Sequence, residues 1–205
     1  AASDVYKRQA LGSGVNLVTG PLLGERTRGL PDEVLALLAD HCRQHAIPFL
    51  LEADGSRRLP LKAPAPHEPP IPPFVDTVLV AAGLSALGRP LDPEWVYQPE
   101  RFGALAGLDP GAPITPGALV QVLRHPEGGL KNIPPGARRV ALLNQADTPV
   151  MQQTAAGMAA PLLADFDAVL VAALNSPAAR PGPTPTYSLE DSRSPTPYLA
   201  MYEPA

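Results

Sequence analysis

Four short apolar runs punctuate the chain, at residues 47–51, 77–82, 139–143 and 168–174. Each is short for a helix, and none alternates apolar with polar residues as a strand with one wet face does. Each therefore reads as a strand covered on both sides in a parallel sheet. Helix signals lie between them. Pro31 suits a first helical position and Asp32 and Glu33 suit the positive end of the helix dipole. Val34, Leu38 and Cys42 recur at i, i+4 and i+8, predicting a helix that ends near His45. Thr115-Pro116 and Thr148-Pro149 each set a capping hydroxyl before a first-turn proline, predicting helices to about Arg124 and about Leu163. Strands alternating with helices predict an α/β fold with a doubly wound, mostly parallel sheet. A shorter β-prone run at 15–19 leads into Gly20-Pro21 and a loop to Arg28.

Proline sets the other limit. Seven of the fifteen residues from 59 to 73 are proline, which removes backbone donors and forbids a helix or a central strand, so a stiff extended loop is expected. The stretch 176–205 is rich in Pro, Ser, Thr and Gly without an apolar period and reads as a flexible tail. The opening AASDVYKRQ contains a string, SDVYKRQ, that resembles a recurrent terminal artefact of assembled sequence fragments. Residues 1–9 are accordingly set outside the fold, leaving 10–175 as the α/β domain.

With 205 residues and 45% hydrophobic content, the chain can bury one sizeable core. A net charge of -4 supplies no basic footprint for nucleic acid, although Arg57-Arg58 and Arg138-Arg139 offer local anion contacts. Cys42, the single cysteine, permits neither an internal disulfide nor a thiolate zinc cluster and fits a reducing cytoplasm. No run reaches the roughly 18 to 20 apolar residues of a membrane helix, so no membrane partner is expected.

Ligands of open α/β sheets bind outside the carboxyl ends of the strands, and three of these ends carry polar or glycine-rich sequence. After 47–51 come Glu52-Ala-Asp54-Gly55, where a carboxylate suits magnesium and the glycine lets a phosphate approach; an ordinary Asp-Gly turn fits equally. The proline-framed loop then presents Lys62, His67 and Glu68: a point charge for phosphate beside a pair suited to metal or proton transfer, or else solvated charges on a surface loop. After 139–143, Asn144-Gln145-Ala146-Asp147 has the Asn-x-x-Asp spacing with which GTPases read guanine, with Gln145 where lysine is usual. A polar helix start capped by Thr148 explains the same residues. His41 and His45 lie four apart without a third ligand and read as solvated, as Ser85 reads as a turn residue and Trp95 as a packing anchor. Gly12-Ser13-Gly14 satisfies no phosphate-loop pattern.

Four ordered blocks, EADGSRRLPLKAPAPHEPPIP (52–72), GLSALGRPL (83–91), GGLKNIPPGAR (128–138) and LNQAD (143–147), resemble the YqeC family. That resemblance implies a P-loop NTPase-like, three-layer α/β/α fold and a role in maturing selenium-dependent molybdenum hydroxylases. It further implies magnesium and a nucleoside triphosphate, GTP or ATP, as cofactors, and a molybdenum hydroxylase or its cofactor precursor as partner. It places Asp54, with Glu52, at magnesium and phosphate, Lys62, His67 and Glu68 in an active-site loop, Asn144, Gln145 and Asp147 at the base, and Lys131 at an anion. The family opens with a glycine-rich loop ending in Gly-Lys-Thr-Thr, which this sequence lacks together with the strand before it, so nucleotide binding that is poor or absent and an inactive fragment are expected. Residues 96–100 also depart from the family's His-Arg-Pro-Glu. A chaperone that holds a molybdopterin or selenium precursor without turnover is the alternative.

Overall fold

A computed structural model describes residues 14–24, 26–173 and 198–204; the segment 1–9, Gly12, Ser13 and most of the expected tail lie outside the described residues. The chain divides into two units, Ala1–Leu51 and Glu52–Ala205. In the first, β1 (Leu22–Leu23) and β2 (Arg26–Thr27) form a two-residue antiparallel pair, followed by α1 (Asp32–Gln44). The helix starts after Pro31 with Asp32 and Glu33 in its first turn, as the dipole argument predicts.

In the second unit, chain order runs β3 (Leu61–Lys62), β4 (Thr77–Gly83), β5 (Val96–Tyr97), α2 (Pro99–Ala106), α3 (Pro116–Arg124), β6 (Arg138–Asn144), α4 (Pro149–Leu162), β7 (Ala168–Ala173) and β8 (Tyr198–Tyr202). The main sheet has the order β4-β6-β7-β8, its first three strands parallel and β8 antiparallel to β7. β3 and β5 pair in parallel as a separate two-residue ribbon. The architecture is α/β with a mixed sheet. Thr115 and Thr148 cap α3 and α4 as expected, their hydroxyls accepting from Ala118 N–H (3.1 Å) and Met151 N–H (3.2 Å).

The core gathers Ala141, Leu143, Val169 and Val171 with Phe102, Leu119, Leu162 and Phe166. Phe102 and Phe166 are 0% and 2% exposed, and burying each such ring contributes about 2–3 kcal/mol. Trp95 packs against this core with Arg89 over its ring, the anchoring role its side chain suggests.

Three expectations change. Residues 47–51 form no strand: Leu50 is 92% exposed, and no other strand pairs with the run among the described residues. The 15–19 run is also coil, with Val15 and Leu17 exposed, because an apolar run becomes a strand only when a neighbour takes up its backbone groups. The tail does not extend through 198–202. β8 pairs with β7 along its whole length and alternates, Ala200 and Tyr202 packing on the core while Leu199 and Met201 face outward.

Candidate functional site

β4 and β6 stop side by side, Gly83 opposite Asn144. Gly83 N–H donates to Pro60 O at 2.8 Å, which ties the chain entering β3 to the end of β4. The approach is close enough that a Cβ on Gly83 would lie 2.3 Å from Gln145 Oε1 and 2.8 Å from Pro60 Cβ. Ser85, in the 3-10 turn Leu84–Ala86, donates from Oγ to Gln145 Oε1 at 2.6 Å. Gln145 sits at φ 63, and the backbone beyond it is fixed by Ala146 N–H to Ala172 O (3.0 Å) and Gln152 Nε2 to Ala146 O (3.1 Å). Asn144 Oδ1 is buried without a hydrogen-bond partner, whereas Asp147 is exposed.

The proline loop delivers the second group of residues beside this strand end. Lys62 Nζ lies 2.9 Å from Asp54 Oδ2, 2.9 Å from Glu68 Oε2 and 3.1 Å from Gly55 O, with 11% of its side chain exposed. Glu68 also accepts from Ala65 N–H at 2.9 Å. Partial burial pushes the Glu68 carboxyl up, but the Ala65 N–H, the Lys62 ammonium and the nearby His67 outweigh it and hold the carboxyl below its ordinary value. His67 itself points into solvent, and Glu52 is exposed. The Tyr97 ring is flanked by Arg57 at 4.7 Å and Lys62 at 5.5 Å.

The structure thus brings Asp54, Lys62 and Glu68 together and sets Asn144 and Gln145 at the adjoining strand ends. Lys131 does something other than face an open anion site. It is the one buried charged side chain among the described residues, and its ammonium meets Ala65 O (2.9 Å), Pro66 O (3.1 Å) and Glu127 (3.3 Å). Asn132 Nδ2 donates to Pro69 O (2.9 Å) and Arg101 Nε to Pro64 O (2.8 Å), so three side chains grip the loop by its carbonyls. Proline supplies acceptors but no donors, and such a loop has to be held this way. Arg101, Asn132, Tyr97 and the Ser85–Gln145 contact have no local signature in the sequence; only the run of donor-free residues hints that outside donors are needed.

His41 and His45 stack at 4.3 Å between ring centroids, and no cluster of three His, Cys, Asp or Glu side chains forms among the described residues. At Asp54 an ammonium already stands where a divalent cation would bind, so this arrangement does not fit a resident magnesium ion. Among the described residues no helix is long and apolar enough to cross a membrane.

Parallel strands alternating with helices, with polar residues and an unsatisfied buried acceptor at the carboxyl end of β6, define an α/β protein. Residues 3–100 match the family model described as YqeC protein. Over 97 residues it is 43% identical to the Uncharacterized protein YqeC of Escherichia coli (strain K12), which covers 47% of this chain and 38% of the relative. The chain therefore spans well under half of that protein's length. The matched segment holds Asp54, Lys62, Glu68 and Tyr97, while Lys131, Asn144 and Gln145 lie beyond it. No solved structure matches the chain.

Proposed function

We propose that the chain is part of a nucleotide-handling accessory protein for the maturation of selenium-dependent molybdenum hydroxylases, acting in the reducing cytoplasm. The process rests on the family resemblance. The ligand rests on one observation, the buried and unpartnered Asn144 Oδ1 at the carboxyl end of β6. A buried acceptor without a donor is costly, by about 1–3 kcal/mol, and a base N–H or exocyclic amine would satisfy it. On this reading the strands belong to a P-loop NTPase-like, three-layer arrangement. Asn144 and Asp147 favour GTP over ATP, and Ser85 holds Gln145 out of the base's way. Magnesium enters with the nucleotide phosphates and takes at most an exposed carboxylate such as Glu52 from the chain.

A second reading has its own support. Asp54 and Glu68 both close on Lys62, which leaves neither carboxylate free as a general base and suits a protein that holds a molybdopterin or selenium precursor without turnover. Calorimetric titration with GTP and ATP separates the two. Nucleotide binding that weakens about tenfold in Asn144→Ala supports the nucleotide reading. An affinity indifferent to Asn144 sinks it, and capture of a pterin precursor without phosphate release selects the holder.

A further inference from the structure

The turn between Gly55 and the proline loop is built against the preferences of its residues. Leu59 N–H donates to Ser56 O at 3.1 Å and Ser56 Oγ to Leu59 O at 2.7 Å, closing a four-residue turn. Its central residues are Arg57 at φ 56 and Arg58 at φ 65. Two successive left-handed residues define the primed turn class, where Gly dominates because it lacks the Cβ that costs roughly 1–2 kcal/mol there, and Asn and Asp follow because their short polar side chains bond the backbone locally. Two arginines there are a strained choice, and strain that local structure does not require is a pointer to function.

What the strain presents is cationic and unspent. Both side chains are exposed, and neither forms an ion pair or a donated hydrogen bond among the described residues. Arg57 only stacks on Tyr97, at 4.7 Å, a contact that orients the guanidinium without using its N–H donors. The neighbouring carboxylates do not neutralise the pair, because Asp54 and Glu68 are both closed on Lys62. Glu52 is exposed and bends over Gly55, with Oε1 3.7 Å from where a Cβ would stand there. The chain as a whole carries a net charge of -4, so this is not one corner of a general basic surface.

We infer that Arg57 and Arg58 form an oxyanion subsite for a phosphate-bearing small molecule, with Tyr97 as the platform that aims the first guanidinium. Guanidinium forks match phosphate oxygens two at a time, and the turn closes beside Lys62 and the strand ends, where the remainder of such a ligand would lie. The subsite adjoins the nucleotide site proposed above but does not require the ligand to be a nucleotide.

The positive φ values supply a clean test, since glycine adopts them freely and removes both guanidiniums without forcing the turn. Titrating the 205-residue chain with inorganic pyrophosphate is expected to show binding that weakens about tenfold or more in Arg57→Gly/Arg58→Gly, with the melting temperature kept within about 4 °C. Equal affinity in parent and variant, or no pyrophosphate binding by the parent at millimolar concentration, overturns the assignment. If the double variant fails to fold, Arg58→Gly alone serves, because the Arg58 side chain has no partner to lose among the described residues. Pyrophosphate binding without GTP or ATP binding leaves this subsite standing and removes the nucleotide. Nucleotide binding indifferent to both arginines does the reverse.

Discussion

The two arms that flank Lys62 are built on opposite plans. The arm carrying Glu68 is donor-poor and held from outside, with Arg101, Lys131 and Asn132 each bonded to its carbonyls. The arm carrying Arg57 and Arg58 is closed only by its own Ser56–Leu59 turn and leaves its donors to solvent. The difference teaches which part is scaffold and which is reserved for a ligand. A loop whose carbonyls are taken up by side chains of the fold has few backbone groups left to offer. A loop that keeps strained, unpaired cations has been given an energetic reason to meet something else.

The largest expected effect comes from breaking the held arm. Lys131→Met keeps the length of the stem but strips Ala65 O and Pro66 O of their donor in a buried setting, so stability measured by urea unfolding should fall by about 3 kcal/mol. A loss under about 1 kcal/mol would mean that the loop is held without Lys131 and that the contrast between the arms is overdrawn.

Glu68→Gln tests the link between the arms and should cost about 1.5 kcal/mol at neutral pH, since Lys62 loses one of its two carboxylates. The sign with pH follows from the direction of the shift. Because the folded Glu68 carboxyl lies below its ordinary value, its contribution is fully present above about pH 5 and is lost as pH falls through the folded value. Unfolding at a series of pH values should show parent and variant converging in acid. A difference that stays constant down to about pH 3 would place the stabilisation in packing instead of charge.

Much of the held framework was legible because its signals are local. The runs at 77–82, 139–143 and 168–174 became β4, β6 and β7, and threonine followed by proline marked the starts of α3 and α4. The run at 47–51 carries the same signal and fails, since burial in a parallel sheet depends on partners that a single segment does not specify. β8 was hidden for the converse reason: its five residues gain a partner from β7, some thirty positions away, amid a proline-rich stretch. Lys62 and Glu68 could be singled out from residue type and loop stiffness, whereas Asp54 was expected at magnesium beyond a strand that does not form, so its closure on Lys62 was not legible. The partners of Lys131 could not, because a lysine's charge says nothing about whether phosphate or three backbone and side-chain oxygens will receive it. Helix α2 escaped because it begins after a left-handed Gln98 instead of a capping hydroxyl.

The smallest effect sharpens the comparison from a third side. Ser85→Ala removes one hydrogen bond to Gln145 Oε1 in a half-buried setting and should cost about 1 kcal/mol. Gln145 stays in its left-handed conformation, because Ala146 and Gln152 fix the backbone that follows it. The arginine turn shares no hydrogen bond with either residue among the described residues, so pyrophosphate affinity in Ser85→Ala should match the parent while Asn144-dependent nucleotide binding shifts as Gln145 gains freedom near the base. If pyrophosphate affinity falls together with nucleotide affinity, the strand ends and the turn act as one unit, and the open arm is less independent of the scaffold than its hydrogen bonds indicate.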